Sequence, residues 1–219
     1  APPIGRPRPR LKPHGASGPG PCNASVARGR RKPRRDAEPD PRVREARSVA
    51  SAREARYAAP MAKLYFRYGT VGSAKTLNLL AVAHNYERQG KRVLVAKPAL
   101  DVRDGARTVA SRAGLAREAD LVLGADAVLP AARLRGVDAL LVDEAQFLSE
   151  AVVDRLRERT RVPGVPVICY GLRTDFRGRL FEGSRRLLEV ADTIEEVKTT
   201  CAACTRKAVF NLRLAGGRP

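Results

Sequence analysis

The chain contains no tryptophan, one methionine, two histidines and only 5% aromatic residues among its 219 residues. It has no apolar run of about 18 residues, so the sequence predicts no transmembrane helix. The first residues include no apolar stretch of about 7–15 residues, so no secretory signal peptide is predicted. Hydrophobic residues nevertheless make up 43% of the chain. That fraction is sufficient for a packed core and excludes a chain that is disordered throughout.

Acidic residues are in the minority, and the resulting positive charge is unevenly placed. Lys and Arg number 42 against 23 Asp and Glu, a formal net charge of +19. Residues 1–60 hold 15 of the basic and 5 of the acidic residues, together with 11 of the 16 prolines. They contain only six large apolar residues, too few to offset the entropy lost on folding. We therefore expect a disordered basic tail, with helix-forming residues near Val43–Tyr57.

This tail has three interpretations: a nucleic-acid-binding arm, an organelle transit peptide, or sequence upstream of the true start. Transit peptides are rich in Arg but usually poor in acidic residues and in proline. This segment contains 5 acidic residues and 11 prolines, so it differs from a typical transit peptide. Met61, the only methionine, opens a segment typical of a first strand. The third interpretation is therefore favoured, and the tail does not decide the function.

From Met61 onward, apolar runs alternate with helix-forming segments. The four runs most typical of strands covered on both faces are Leu64–Tyr68, Arg92–Ala96, Val137–Val142 and Val165–Tyr170. This alternation predicts an α/β fold with a parallel sheet and flanking helices.

Two helices are predicted between these strands. The first covers Lys75–Gln89 and ends at Gly90. We expect its apolar face to consist of Leu77, Leu80, Ala81 and His84. The second covers Glu150–Arg161 and crosses over between two strands.

The strongest local motif follows the first predicted strand. It reads Gly69-Thr70-Val71-Gly72-Ser73-Ala74-Lys75-Thr76 and approximates the phosphate-binding loop G-x-x-x-x-G-K-[ST]. In such a loop, backbone amides and a helix N-terminus face the phosphates of a nucleotide such as ATP. Lys75 would neutralise the β and γ phosphates, and Thr76 would ligate Mg²⁺. Ala74 replaces the usual glycine, which is tolerable if the residue has helical dihedral angles. An ordinary Gly-Ser turn is the alternative.

Two carboxylates, Asp143 and Glu144, directly follow the third apolar run, Val137–Val142. They are predicted at the carboxyl edge of a parallel sheet, where ligands bind. Asp143 suits a hydrated Mg²⁺, and Glu144 can accept a proton from a nucleophile. An exposed helix cap is the alternative for the pair alone, but together with the phosphate-binding loop the pair predicts a nucleotide site.

Five segments resemble the type II thymidine kinases, the bacterial and cytosolic kind. The most specific is Cys169-Tyr170-Gly171-Leu172-Arg173-Thr174-Asp175-Phe176-Arg177-Gly178. The others are Tyr65–Thr70, Asp143–Leu148, Leu180–Ser184 and Glu195–Cys201. The resemblance extends from Met61 to about Leu214 without a large gap.

The resemblance implies transfer of the γ-phosphate of ATP to the 5′-hydroxyl of thymidine, in deoxynucleoside salvage for DNA synthesis. It implies that Glu144 is the catalytic base, that Asp143 holds Mg²⁺ through water and that Gln146 lines the nucleotide site. Phe147 would pack against the pyrimidine, and Arg103 would lie near the phosphates; a core residue and a surface arginine are the respective alternatives. The family also implies a P-loop (RecA-like) domain, a homotetramer and a cytoplasmic location.

The cysteines bear on the zinc domain that the resemblance also implies. Cys201 and Cys204 form a CxxC at the family's first zinc pair, and such thiolates can share one tetrahedral ion. The family's second pair follows a lasso loop that closes over thymidine, and both would lie past Pro219. Cys22 falls in the tail and Cys169 in a predicted strand, so neither is a natural replacement. We expect an incomplete Zn²⁺ site, with a redox CxxC as the alternative and no structural disulfides.

The sequence thus predicts three regions: a tail at 1–60, a kinase domain at 61–198 and a truncated zinc and lasso region at 199–219. The predicted function is a thymidine kinase whose activity is low because the lasso is missing. The alternatives are a P-loop ATPase of another family, a basic nucleic-acid-binding protein that uses the tail, and a catalytically dead copy. No specific nucleic-acid partner and no membrane partner are expected.

Overall fold

The protein's structure, a computed structural model, describes residues 61–213. The predicted tail at 1–60, including Val43–Tyr57, lies outside the described residues, as do residues 214–219. The described strands are β1 Leu64–Tyr68, β2 Val93–Pro98, β3 Thr108–Ala110, β4 Ala116–Glu118, β5 Leu121–Leu123, β6 Ala139–Val142, β7 Val167–Gly171 and β8 Thr193–Glu196. The α-helices are α1 Lys75–Arg88, α2 Glu150–Arg161 and α3 Glu182–Val190, with 3-10 turns at Ala131–Leu134 and Ala145–Phe147.

Six strands form one sheet in the order β5-β2-β6-β7-β1-β8. Every neighbouring pair in this sheet is parallel. The remaining two, β3 and β4, form an antiparallel hairpin. The prediction of an α/β fold with a parallel sheet and flanking helices is confirmed.

Two apolar layers cover the two faces of the sheet, because successive side chains of a strand point to opposite sides. Leu140 and Val142 of β6 pack in one cluster with apolar residues of α2 and α3. Ala139 and Leu141 of the same strand pack in the other cluster with apolar residues of α1 and with Val109 of the hairpin. The strands are therefore buried on both sides, as their apolar composition predicts.

The apolar face predicted for α1 is wrong in part. Leu79, Leu80 and Ala83 are buried, whereas Ala81 and His84 are exposed. The reason lies in the loop before the helix, which buries Lys75 at the first helical position. Residues four apart share a helix face, so burial of Lys75 also turns Leu79 and Ala83 toward the sheet.

The other predicted elements agree closely with the structure. Helix α2 begins and ends at the predicted residues, and α1 ends one residue earlier than predicted, with Gly90 in a left-handed conformation at φ 74°. The hairpin, the edge strands β5 and β8, and α3 were not predicted, because their short apolar segments show no clear period. Of the helices in the described part of the chain, none is long and apolar enough to cross a membrane.

Candidate nucleotide site

The loop between β1 and α1 requires glycine at two positions, one for a positive φ angle and one for close packing. Gly72 has a φ of 82°. At Gly69, a Cβ atom would lie 2.4 Å from the Ser73 hydroxyl oxygen and 2.6 Å from the Val197 carbonyl oxygen. Only glycine fits there without displacing both neighbours.

Ala74 is left-handed, with φ 60° and ψ 29°. The helical dihedral angles under which its methyl group would be tolerable are therefore absent. A non-glycine residue in this conformation costs about 1–2 kcal/mol. This strain explains why glycine is usual at the position.

The Lys75 side chain is folded back against its own loop. Its Nζ donates hydrogen bonds to the carbonyl oxygens of Gly69 at 3.2 Å and Thr70 at 2.8 Å, and to Ser73 Oγ at 3.4 Å. Burial lowers the pKa of Lys75, and the charges of Glu144 and Asp143 oppose that shift. The loop therefore holds a partly desolvated cation at the start of α1.

Thr76, the residue after Lys75, is hydrogen-bonded to Asp143. The Thr76 hydroxyl donates to Asp143 Oδ2 at 2.9 Å, and Asp143 is only 5% exposed. Burial raises the pKa of Asp143 to about 6, and the neighbouring Glu144 charge adds to the shift. Hydroxyl and carboxylate oxygens are the ligands that Mg²⁺ prefers. A buried carboxylate that is costly to ionise without a cation fits that ion.

Glu144 is held in place by two donors. The Arg103 guanidinium and the Gln146 side-chain amide both donate to its carboxylate. Gln146 is 2% exposed, and its Oε1 accepts a hydrogen bond from the Leu172 amide at 3.0 Å. Glu144 itself is left-handed, with φ 46°. The carboxylate is thus fixed by Arg103 from a distant segment and by Gln146 two residues further along its own segment, and the backbone of Glu144 is strained.

These residues surround a cavity of about 530 Å³. Its lining comprises Val71, Gly72, Ala74, Lys75, Thr76, Leu77, Asp101, Arg103, Asp104, Thr108, Val109, Ala110, Ser111, Arg112, Ala113, Asp143, Glu144 and Leu172. The phosphate-binding loop, the two carboxylates and Arg103 therefore share one cavity of a size typical of ligand sites. The wall formed by residues 108–113 was not predicted, because β3 has only three residues and the segment contains no motif.

Five residues of the predicted nucleotide site lie outside this lining: Gly69, Thr70 and Ser73 of the phosphate-binding loop, Gln146 and Phe147. Gln146 reaches the site only through its contact with Glu144. Phe147 is half-buried and packs against Phe181, with ring centroids 5.8 Å apart and an edge-to-face angle of 76°.

Cys201 and Cys204 lie on a tight turn between paired backbone segments. The Cys201 amide donates to the Arg206 carbonyl oxygen at 2.8 Å, and Thr200 and Lys207 form an antiparallel bridge. Hydrogen bonds from the Ala203 amide and from Cys204 lower the pKa of the Cys201 thiol. Two thiols supply half of a structural zinc site. No cluster of three or more His, Cys, Asp or Glu side chains occurs within residues 61–213, so the described residues do not complete such a site.

The parallel sheet, the loop between β1 and α1, and the carboxylates that follow β6 define a P-loop-like α/β protein. The particular family follows from comparison with known proteins. The family model described as "Thymidine kinase" matches residues 62–218. The chain belongs to this family, and the predicted resemblance to the type II, bacterial thymidine kinases is confirmed.

Curated bacterial proteins give the same result. The thymidine kinase of Lactiplantibacillus plantarum is 47% identical over 161 residues, which cover 73% of this chain and 84% of that protein. Thymidine kinases of Streptococcus pyogenes and Streptococcus gordonii are each 46% identical, covering 73% of this chain and 85% and 84% of theirs. Among solved structures, the Pif1 helicase from Candida albicans covers 74% of this chain and 40% of its own, at 12% identity and a TM-score of 0.35. That similarity is too low to carry a conclusion.

Proposed function

We propose that the chain is an ATP-dependent thymidine kinase that transfers the γ-phosphate of ATP to the 5′-hydroxyl of thymidine. The observation that carries the proposal is the hydrogen-bonded pair of Thr76 and Asp143, which lies beside Lys75 and Glu144 on one cavity. Membership of the thymidine kinase family supports thymidine as the acceptor.

In this proposal, the loop from Gly69 to Thr76 binds the triphosphate. Its backbone amides and the N-terminus of α1 attract the phosphate oxygens, and Lys75 exchanges its loop carbonyl partners for them. Arg103 supplies a second cation in the lining of the same cavity. Phosphoryl transfer depends mainly on such positioning and charge stabilisation.

Thr76 and Asp143 would hold Mg²⁺, Thr76 directly and Asp143 through water. When bound, Mg²⁺ neutralises charge on the phosphate oxygens. The Thr76 hydroxyl donates to Asp143 at 2.9 Å, and burial raises the pKa of Asp143 to about 6, so a nearby cation would favour the ionised carboxylate. The pair is therefore prepared for a cation.

Glu144 would act as the general base that accepts the proton of the thymidine 5′-hydroxyl. Gln146 keeps the carboxylate oriented by donating to it while its own oxygen is bound by the Leu172 amide. Phe147 is the proposed aromatic partner of the pyrimidine, and its half-buried position beside Phe181 leaves part of the ring accessible.

We also expect the family's homotetramer and a cytoplasmic location. The described residues supply only Cys201 and Cys204 toward zinc, which does not fit a complete structural site, so no part of the proposed reaction depends on that metal.

The test is a transfer assay with γ-labelled ATP, with and without thymidine, on two site variants. Lys75→Ala should weaken both ATP binding and turnover, because it removes a charge from the triphosphate. Glu144→Gln should keep ATP binding but lower phosphoryl transfer by about 10²–10⁴-fold, since the amide cannot accept the proton. The matched control is Glu158→Gln, an exposed glutamate on α2, which should change neither quantity.

Equal, small losses in the two site variants would remove Glu144 from the role of base. Phosphate release from ATP that needs no thymidine, with no labelled thymidine product, would instead indicate a P-loop ATPase.

A further inference from the structure

A buried lysine, Lys97, lies at the penultimate position of strand β2, next to the cavity without lining it. Its side chain is 1% exposed. Its Nζ donates to the carbonyl oxygens of Gly105 at 3.0 Å and Thr108 at 2.8 Å, and lies 3.2 Å from Asp101 Oδ2. The three N–H groups of an ammonium are thus matched by three acceptors. A buried ammonium group whose hydrogen bonds are all satisfied makes the groups that it contacts more rigid.

All three acceptors belong to residues 101–108, which comprise most of the connection after β2 and the first residue of β3. This connection also carries Arg103 to the cavity. Asp101 is 7% exposed, and its Oδ1 accepts a hydrogen bond from Arg103 Nε at 2.8 Å. Arg103 Nη2 in turn donates to Glu144. Four charged groups of alternating sign, Lys97, Asp101, Arg103 and Glu144, therefore form one continuous chain.

Asp101 is ionised in this chain. Burial alone would raise its pKa, but the hydrogen bond and charge of Arg103 and those of Lys97 outweigh burial, so the pKa of Asp101 lies below its ordinary value. Its Oδ2 atom is paired with Lys97 and its Oδ1 atom with Arg103.

We propose that Lys97 is a positioning residue for phosphoryl transfer, which acts through Asp101 and Arg103 to orient Glu144. The proposal rests on the proposed function, in which Glu144 is the base. No contact between Lys97 and substrate is involved, because Lys97 does not line the cavity.

The expected consequence of losing Lys97 follows from charge balance. Without the lysine, Arg103 alone balances the buried Asp101 carboxylate, so Asp101 competes more strongly with Glu144 for the guanidinium. The carbonyl oxygens of Gly105 and Thr108 also lose their donor. Glu144 then has a wider range of positions. The phosphate-binding loop and the Thr76–Asp143 pair belong to other elements and keep their contacts. Of the groups proposed to bind ATP, only Arg103 is affected, and its charge stays in the cavity lining, so ATP binding is largely retained.

The experiment compares Lys97→Met with Lys63→Met, an exposed lysine just before β1. Lys97→Met removes the charge but keeps a side chain of similar length. Measured well below the unfolding temperature, its kcat should fall about 10–100-fold, the scale on which small displacements of reacting groups act. Its Kd for Mg·ATP should stay within about threefold of wild type, and Lys63→Met should match wild type in both quantities.

A second variant, Asp101→Asn, keeps the two carbonyl partners of Lys97 and removes only the ion pairs, so it tests the proposal even if Lys97→Met does not fold. Its kcat should also fall about 10–100-fold, because Arg103 loses the carboxylate that anchors its guanidinium beside Glu144. Because both residues act through one chain, the double variant should be no slower than the slower single variant, a clear departure from additivity.

The proposal is overturned if Lys97→Met retains kcat within about twofold of wild type, or if the two substitutions are additive. It is also overturned if Mg·ATP affinity falls as much as kcat, which would indicate general damage to the site. A wild-type chain that phosphorylates no thymidine overturns the proposed function and this inference together. An active wild type with an equally active Lys97→Met overturns this inference alone.

Discussion

Backbone strain in the described chain is concentrated at two residues of the site. Ala74 and Glu144 are the non-glycine residues of 61–213 with positive φ. Ala74 immediately precedes the lysine of the phosphate-binding loop, and Glu144 is the proposed base. Such conformations persist where the surrounding structure determines them strongly, as at binding and catalytic sites. The strain at Ala74 gives a direct prediction about stability.

Ala74→Gly should stabilise the protein. Glycine adopts the left-handed conformation without the Cβ contact, so we expect a gain of about 0.5–1 kcal/mol in the free energy of unfolding, measured by urea denaturation. The matched control is Ala81→Gly, at an exposed position inside α1. There the same substitution should destabilise by about 1 kcal/mol. Destabilisation by both variants would contradict the left-handed assignment of Ala74.

Asp143 should make the metal-free protein less stable at neutral pH than at acidic pH. Its pKa is raised in the folded state from 3.8 to about 6. The folded chain therefore binds this proton more tightly than the unfolded chain, and the contribution of Asp143 to stability falls as the pH rises from about 4 to 6. Above about pH 6 the whole penalty, on the order of 3 kcal/mol, is present.

Asp143→Asn removes this penalty. In urea unfolding with a chelator present, the variant should exceed wild type by about 3 kcal/mol at pH 7.5 and by about 1 kcal/mol at pH 4.5. Asp126→Asn, at an exposed position outside the cavity, is the matched control. The same gain for Asp143→Asn at both pH values would mean that the pKa of Asp143 is not raised by folding.

At the scale of elements, helix α3 supports the turn that carries Gln146 and Phe147. Gly183 of α3 lies against the backbone of that turn: a Cβ atom there would be 2.6 Å from the Ala145 carbonyl oxygen and 2.7 Å from that of Leu148. Gly171 at the end of β7 allows a similar approach, with Gln146 Oε1 at 2.8 Å from its added Cβ. The position of Gln146 thus depends on two glycines distant in sequence.

Gly183→Ala should displace α3 from this turn. The methyl group meets backbone atoms rather than a flexible side chain, so we expect a loss of about 1–3 kcal/mol in unfolding free energy, together with lower kcat. Gly124→Ala is the matched control, since nothing lies within 4 Å of its added Cβ. It should change stability by less than about 0.5 kcal/mol. Equal, small effects of both substitutions would show that α3 can move away from the turn without a measurable loss of stability.

At the scale of the whole molecule, we expect residues 1–60 to add nothing to the stability of the α/β unit. The reason is compositional: the segment has few large apolar residues and 11 prolines. A chain that begins at Met61 should unfold at the same temperature as the full chain. A decrease of more than about 4 °C, on the order of 1 kcal/mol for a domain of this size, would show that the tail packs against it.

The sequence by itself determined the fold class, four of the six sheet strands, helix α2 and the family. These features depend on neighbouring residues, such as continuous apolar runs for doubly covered strands and a glycine-containing loop before Lys75. The segment Asp143–Leu148 was recognisable for the same reason. A structural feature can be predicted from the local sequence pattern when it depends only on the residues of its own segment.

Only the tertiary structure decided which face of α1 is buried, that Ala74 is left-handed, and that residues 108–113 form a wall of the cavity. It alone showed that Lys97 is connected to Glu144 through Asp101 and Arg103. The contact between Arg103 and Glu144 joins residues 41 positions apart, and those of Lys97 with Asp101, Gly105 and Thr108 depend on how the connection after β2 folds. A buried lysine and an exposed one have the same letter in the sequence, and the acceptors that surround the side chain distinguish them.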